Sequence, residues 1–105
     1  SAAVPTLIFD EVDVGIGGGV AEIVGRLLHE LGLERQVLCV THLAQVAARA
    51  DVQWRVAKTT RAGEVLSSIQ LLDSAERVQE IARMLGGVEL TEITLQHAQE
   101  MLARQ

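Results

Sequence analysis

The run Thr6-Leu7-Ile8-Phe9 ends on two adjacent carboxylates, Asp10 and Glu11. A run of apolar and β-prone residues belongs inside a layered structure, and desolvating an unpaired carboxylate at its tip is costly. Further along, residues 36–41 (Gln-Val-Leu-Cys-Val-Thr) form a second short, continuous apolar run. Between the two, Val20, Ile23, Val24, Leu27, Leu28 and Leu31 recur on one helical face. Two such strands joined by an amphipathic helix make a βαβ unit with a right-handed crossover. The pattern predicts a strand over 6–12, a glycine-rich loop over 13–19 (Gly15, Gly17, Gly18, Gly19), a helix over 20–31 stopped by Gly32, and a strand over 36–41.

The remainder reads as a short helix near 43–49, then two alternating stretches, 53–58 and 64–72, around a turn at Thr59-Thr60-Arg61-Ala62-Gly63. Asp73 and Glu76 have the spacing of a capping box that opens a helix over 74–85, ended by Gly86-Gly87. Thr91 can cap a last helix near 92–103. The fold class is therefore α/β: a parallel βαβ core, an antiparallel hairpin and two C-terminal helices. There is no internal repeat, low-complexity segment or linker, and Pro5 sits just before the first strand, where a missing N–H matters least.

At 105 residues this is one small domain or a piece of a larger one. Hydrophobic residues make up 49% and aromatics 2%, so the core must be aliphatic. A formal charge of −5 argues against a broad nucleic-acid surface on this piece, since phosphate binding needs clustered Lys and Arg. The single cysteine, Cys39, excludes an internal disulfide and fits a reducing, intracellular setting. No apolar stretch is long enough to cross a bilayer, and the first residues lack the basic start of a signal peptide.

A strand tip carrying two carboxylates becomes tolerable when it faces a metal ion, a water and a phosphate. That is the Walker B arrangement of nucleotide hydrolases: Asp10 would hold a Mg²⁺-bound water and Glu11 would orient or deprotonate the attacking water. The competing interpretation is a strand running into a solvated acidic turn. Asp13 reads either as a solvated turn residue or as a loop acid facing a second protomer. The glycine run does not match a dinucleotide fingerprint: counted from Gly15, the last glycine position of G-x-G-x-x-G falls on Val20. His42 ends the second strand, and parallel neighbours end on the same side of a sheet, so it should sit near Asp10 and Glu11 and can donate to a γ-phosphate. Taken alone it also fits a capping or partly buried histidine. His29 and His97 fall in helices and read as surface positions, and the three histidines and one cysteine have no zinc-like spacing.

Two segments carry a resemblance. Leu7-Ile8-Phe9-Asp10-Glu11-Val12-Asp13-Val14-Gly15-Ile16-Gly17-Gly18 and Val40-Thr41-His42-Leu43-Ala44-Gln45-Val46-Ala47 closely resemble the C-terminal ATPase segment of the RecN family, bacterial DNA-repair proteins of the SMC-like branch of ABC ATPases. The resemblance extends through Ile81-Ala82-Arg83-Met84-Leu85-Gly86-Gly87 and Thr94-Leu95, His97-Ala98 and Glu100-Met101-Leu102, and so covers nearly the whole chain. Ala44 stands where the family usually has proline, and Gly19-Val20 where it has a Pro-Thr-like pair; neither position supplies a catalytic group. The resemblance implies that Asp10 is the Walker B magnesium residue, Glu11 the catalytic glutamate, Asp13 part of the D-loop that crosses between two heads, and His42 the switch histidine that senses the γ-phosphate. It implies ATP and Mg²⁺ as ligands, a head homodimer closed by ATP, DNA bound through the full-length protein, a role in double-strand break repair by recombination, and a bacterial cytoplasmic, nucleoid-associated location.

No G-x-x-x-x-G-K-[ST] or LSGG-type motif occurs in these residues. Residues 1–105 are thus expected to be the C-terminal part of a head whose P-loop comes from the N-terminal part of the same protein, and to be inactive alone. In the related fold the P-loop strand lies beside the switch-histidine strand, so residues 37–41 should present an open edge. Two alternatives stay open: a structural assembly module on a degenerate ATPase fold, and the head segment of another SMC-like ATPase.

Overall fold

In the computed structural model, residues 5–10, 15–86 and 90–103 are described. The first pairing follows from the two apolar runs. β1 (Thr6–Asp10) and β2 (Gln36–Val40) lie parallel with Thr6 beside Gln36 and Asp10 beside Val40. The crossover between them is α1 (Gly18–Leu31), which ends at Gly32, whose N–H donates to the Leu28 carbonyl at 3.0 Å. The helix starts two residues earlier than its apolar periodicity indicates, taking Gly18 and Gly19 into its first turn. Residues 11 and 12 of the expected first strand lie outside the described residues.

After β2 the chain forms α2 (Ala44–Ala47), shorter than the 43–49 expected, because the Ala48 and Arg49 that follow are held only in turns. β3 (Trp54–Arg61) and β4 (Glu64–Leu71) then pair antiparallel, with Trp54 beside Leu71 and Arg61 beside Glu64. The turn is two residues, Ala62 and Gly63, rather than the five read from sequence. Both take positive φ, 51° and 82°, which suits the twist of a two-residue hairpin. Thr59 and Thr60 continue the strand opposite Leu66 and Val65, as β-branched residues favour. The sequence hid this tight turn because Ala62 is an unusual residue for a left-handed conformation.

α3 (Ser74–Gly86) opens with the reciprocal bonds of a capping box: the Glu76 N–H donates to Asp73 Oδ1 at 2.8 Å and the Asp73 N–H to Glu76 Oε1 at 3.0 Å. α4 (Glu92–Ala103) is capped by Thr91, whose Oγ1 accepts from the Thr94 N–H at 3.1 Å. The core lies among α2, α3 and α4: Ala44, Ala47, Ala48, Ile81, Ala82, Ala98 and Met101 are buried together.

The two sheets stay separate, with orders β1-β2 and β3-β4. Among the described residues β2 has a strand on one side only, as the open edge at 37–41 requires. α1 departs from its amphipathic reading. It buries the small residues Ala21 and Gly25 against α2, while Val20, Ile23, Leu27 and Leu31 stay exposed.

Candidate functional site

The parallel register decides what meets at the tip of the first sheet. β1 and β2 run level from Thr6 beside Gln36 to Asp10 beside Val40, so both chains leave the sheet at the same edge. Asp10 is exposed there, at the last position of β1. His42 follows Val40 by two residues, is also exposed, and sits in the bend that links β2 to α2. The bend is tightly bracketed: the Leu43 N–H donates to Thr41 Oγ1 at 3.0 Å, and the Leu43 carbonyl accepts from the N–H groups of Val46 and Ala47, both at 3.1 Å. An ST-type turn on one side and a helical turn on the other thus fix the backbone around His42. Glu11 and Asp13 lie outside the described residues.

α2 packs Ala44 and Ala47 into the helical core and is braced from two further directions. On one side Gly25 lets α1 come close: a Cβ at that position would lie 2.8 Å from the Gln45 carbonyl oxygen and 3.2 Å from Val46 Cα. Only glycine fits such an approach without a shift. On the other side Arg77 of α3 donates from Nη2 to the carbonyls of Ala47 (3.1 Å) and Ala50 (2.8 Å), and from Nε to Gln53 Oε1 at 3.1 Å. Burial lowers the Arg77 pKa from its ordinary value, an effect partly opposed by the charge of Asp51. Sequence reasoning passed over both residues. A glycine inside an apolar helical run is a usable signal of close packing, whereas nothing in the sequence separates Arg77 from any surface arginine.

His29 is not the plain surface position its helix suggested. Its Nδ1 lies 3.0 Å from the Arg49 carbonyl oxygen and 3.7 Å from Asp51 Oδ1, tying α1 to the chain after α2. His97 is exposed and borders a groove between the start of α1, α2 and α4, where Arg49 Nη2 lies 3.5 Å from Glu22 Oε1.

Among the described residues no three His, Cys, Asp or Glu side chains come together as a metal cage. Asp10 offers a single exposed carboxylate. That donor set suits Mg²⁺, a hard cation usually held by one or two carboxylates together with waters and substrate phosphates. Among the described residues no helix is long and apolar enough to cross a membrane.

No protein-family model matches the chain. It is similar to the DNA repair protein RecN of Xylella fastidiosa strain 9a5c, 59% identical over 88 residues, covering 84% of this chain and 16% of that protein. RecN of Vibrio cholerae is 54% identical over 98 residues (93% and 18%), and RecN of Bacillus subtilis 44% identical over 99 residues (94% and 17%). The chain therefore spans less than a fifth of the length of these relatives. Among solved structures, a chain from work on the ATP-driven dimerization and DNA-stimulated activation of SMC ATPases matches with a TM-score of 0.63 at 20% identity, over 82% of this chain and 51% of that one. The fold matches part of an SMC ATPase head, and in sequence the chain matches a segment of the RecN proteins.

Proposed function

We propose that residues 1–105 form the C-terminal part of an ATPase head in a RecN-like protein that repairs DNA double-strand breaks by recombination in the bacterial cytoplasm, at the nucleoid. The observation that supports this most is the β1–β2 register, which brings the end of β1, with Asp10, and the bend carrying His42 to one sheet edge. Open α/β sheets hold their ligands at that edge. Asp10 would hold Mg²⁺, through water, and the ion would offset charge on the ATP phosphates. Glu11, next along the chain, would act as general base toward the attacking water, and His42 would donate a hydrogen bond to the γ-phosphate. Asp13 would reach across to a second head.

The rest of the head would come from the N-terminal part of the same protein, carrying the P-loop. The open edge of β2 and the bare apolar faces of both sheets support this, as does the small share of the relatives that the chain spans. Two heads would close on ATP, and DNA would be bound by the full-length protein. The isolated chain, without phosphate ligands of its own, neither binds ATP tightly nor turns it over; turnover by the purified 105-residue chain that Glu11→Gln abolishes would refute this.

In the full-length protein, Glu11→Gln removes the base and leaves the pocket. ATP binding is retained, the heads stay closed, and hydrolysis falls by about 10²-fold or more. Wild-type hydrolysis in that variant would end the assignment. Dimerization that needs neither Mg²⁺ nor ATP would favour a structural assembly module instead.

A further inference from the structure

We propose that Arg77 is the positioning residue for His42, acting through α2; this rests on the role given to His42 above. α2 has four residues, far too few to hold a helical conformation by itself. Its position therefore comes from what grips it. Short-helix carbonyls at the C-terminal end have no intrahelical partner. Here one guanidinium reaches two carbonyls of this segment, Ala50 and Ala47 (the latter also accepting from the Ala50 N–H at 3.1 Å), while its Nε is fixed by Gln53, a residue only 8% exposed. The fork geometry of arginine suits this, since several donors act from one rigid plane.

A hydrogen-bonded route leads from this grip to His42. Val46 and Ala47 donate to the Leu43 carbonyl, and Leu43 is adjacent to His42. On the opposite side Gly25 of α1 faces the Gln45 backbone across a gap too narrow for a Cβ, so α1 backs α2 there. On the other flank β2 pins Val40 opposite Asp10. His42 thus lies between β2 and α2, and Arg77 adds a polar hold on α2 to its core packing. A shift of even 1 Å in a phosphate-contacting group costs up to about a hundredfold in rate.

The test is a double-variant cycle in the full-length protein, reading steady-state ATP turnover for wild type, His42→Ala, Arg77→Met and the pair. Arg77→Met should lower kcat about tenfold or more, with KM for ATP changed by less than about twofold. Arg77→Lys should recover part of the loss, because one ammonium can reach one carbonyl. In the double variant, Arg77→Met should add no loss beyond that of His42→Ala, since the group it positions is gone. Should Arg77→Met fail to fold, Gln53→Leu, which releases Nε alone, takes its place in the same cycle with a smaller fall in kcat and the same non-additivity. Wild-type kcat in Arg77→Met, or losses that multiply in the double variant while His42→Ala alone is impaired, would overturn the role of Arg77 and leave that of His42 intact. Wild-type kcat in His42→Ala would overturn both.

Discussion

The helical layer of α2, α3 and α4 buries its apolar side chains within the chain, whereas each sheet leaves an apolar face exposed. Ile81 is completely buried among Ala44, Ala47, Ala82, Ala98 and Met101. In contrast Ile8 is 71% exposed and Ile69 68%. The hairpin makes the contrast sharper, because its register gathers Trp54, Val56, Val65, Ile69 and Leu71 on one side, all exposed. Apolar faces of that extent mark surfaces meant to be covered. The difference separates the apolar side chains this chain covers by itself from those that the proposed N-terminal part would cover. α1 belongs to both regions: Ala21 and Gly25 pack on α2, while Val20, Ile23, Leu27 and Leu31 are exposed like the open faces of the sheets.

The largest expected effect breaks the self-contained side. Ile81→Ala leaves a cavity among side chains that cannot easily close it, and should cost about 2–5 kcal/mol. It would be read as faster amide exchange across α3 and α4 in the full-length protein. Wild-type exchange rates there would mean that the helical layer is not the self-sufficient region its packing indicates.

The next tests the bare side. Ile69→Ser in the 105-residue chain alone should change stability by less than about 0.5 kcal/mol, as at any exposed position. In the full-length protein, where the proposed N-terminal part covers the hairpin, the same change should cost about 1.5–3 kcal/mol. Hydrogen exchange in β3 and β4 measures both. An equally small effect in the two settings would show that this face stays in water.

Sequence patterning was legible in proportion to how local its cause was. The βαβ unit, the hairpin and the two capped helices follow from periodicity and from caps such as Asp73 and Thr91, which act within a turn of themselves. The positions of Asp10 at the end of β1 and of His42 just beyond β2 were legible for the same reason, as residues at the ends of apolar runs. What escaped is tertiary. The large side chains Val20, Ile23 and Leu27 define an apolar stripe, yet the packed face of α1 is set by the two small residues that allow α2 to approach. The two-residue turn depended on Ala62 accepting a positive φ, which no propensity suggests. Arg77 acquires its importance only from carbonyls 27 and 30 positions away in sequence.

The smallest effect lies at the seam between the two regions. Arg55 Nη2 donates to Gln70 Oε1 at 2.9 Å, and Gln70 Nε2 donates to Glu76 Oε2 at 2.8 Å, so the hairpin is tied to the side chain that closes the α3 capping box. Asp73→Ala removes the acceptor for the Glu76 N–H and should cost about 1 kcal/mol, while Asp73→Asn, which keeps an oxygen in place, should lose little of that. Amide exchange at Glu76 and Arg77 reads the cap directly. Because Arg77 follows Glu76 and its own N–H donates to the Asp73 carbonyl at 2.8 Å, fraying this turn also loosens the guanidinium's hold on α2. Faster exchange in Asp73→Ala should therefore extend to Ala47 and Ala48. Exchange that rises only in the first turn of α3 would confine the cap to its own helix and separate the seam from the bend that carries His42.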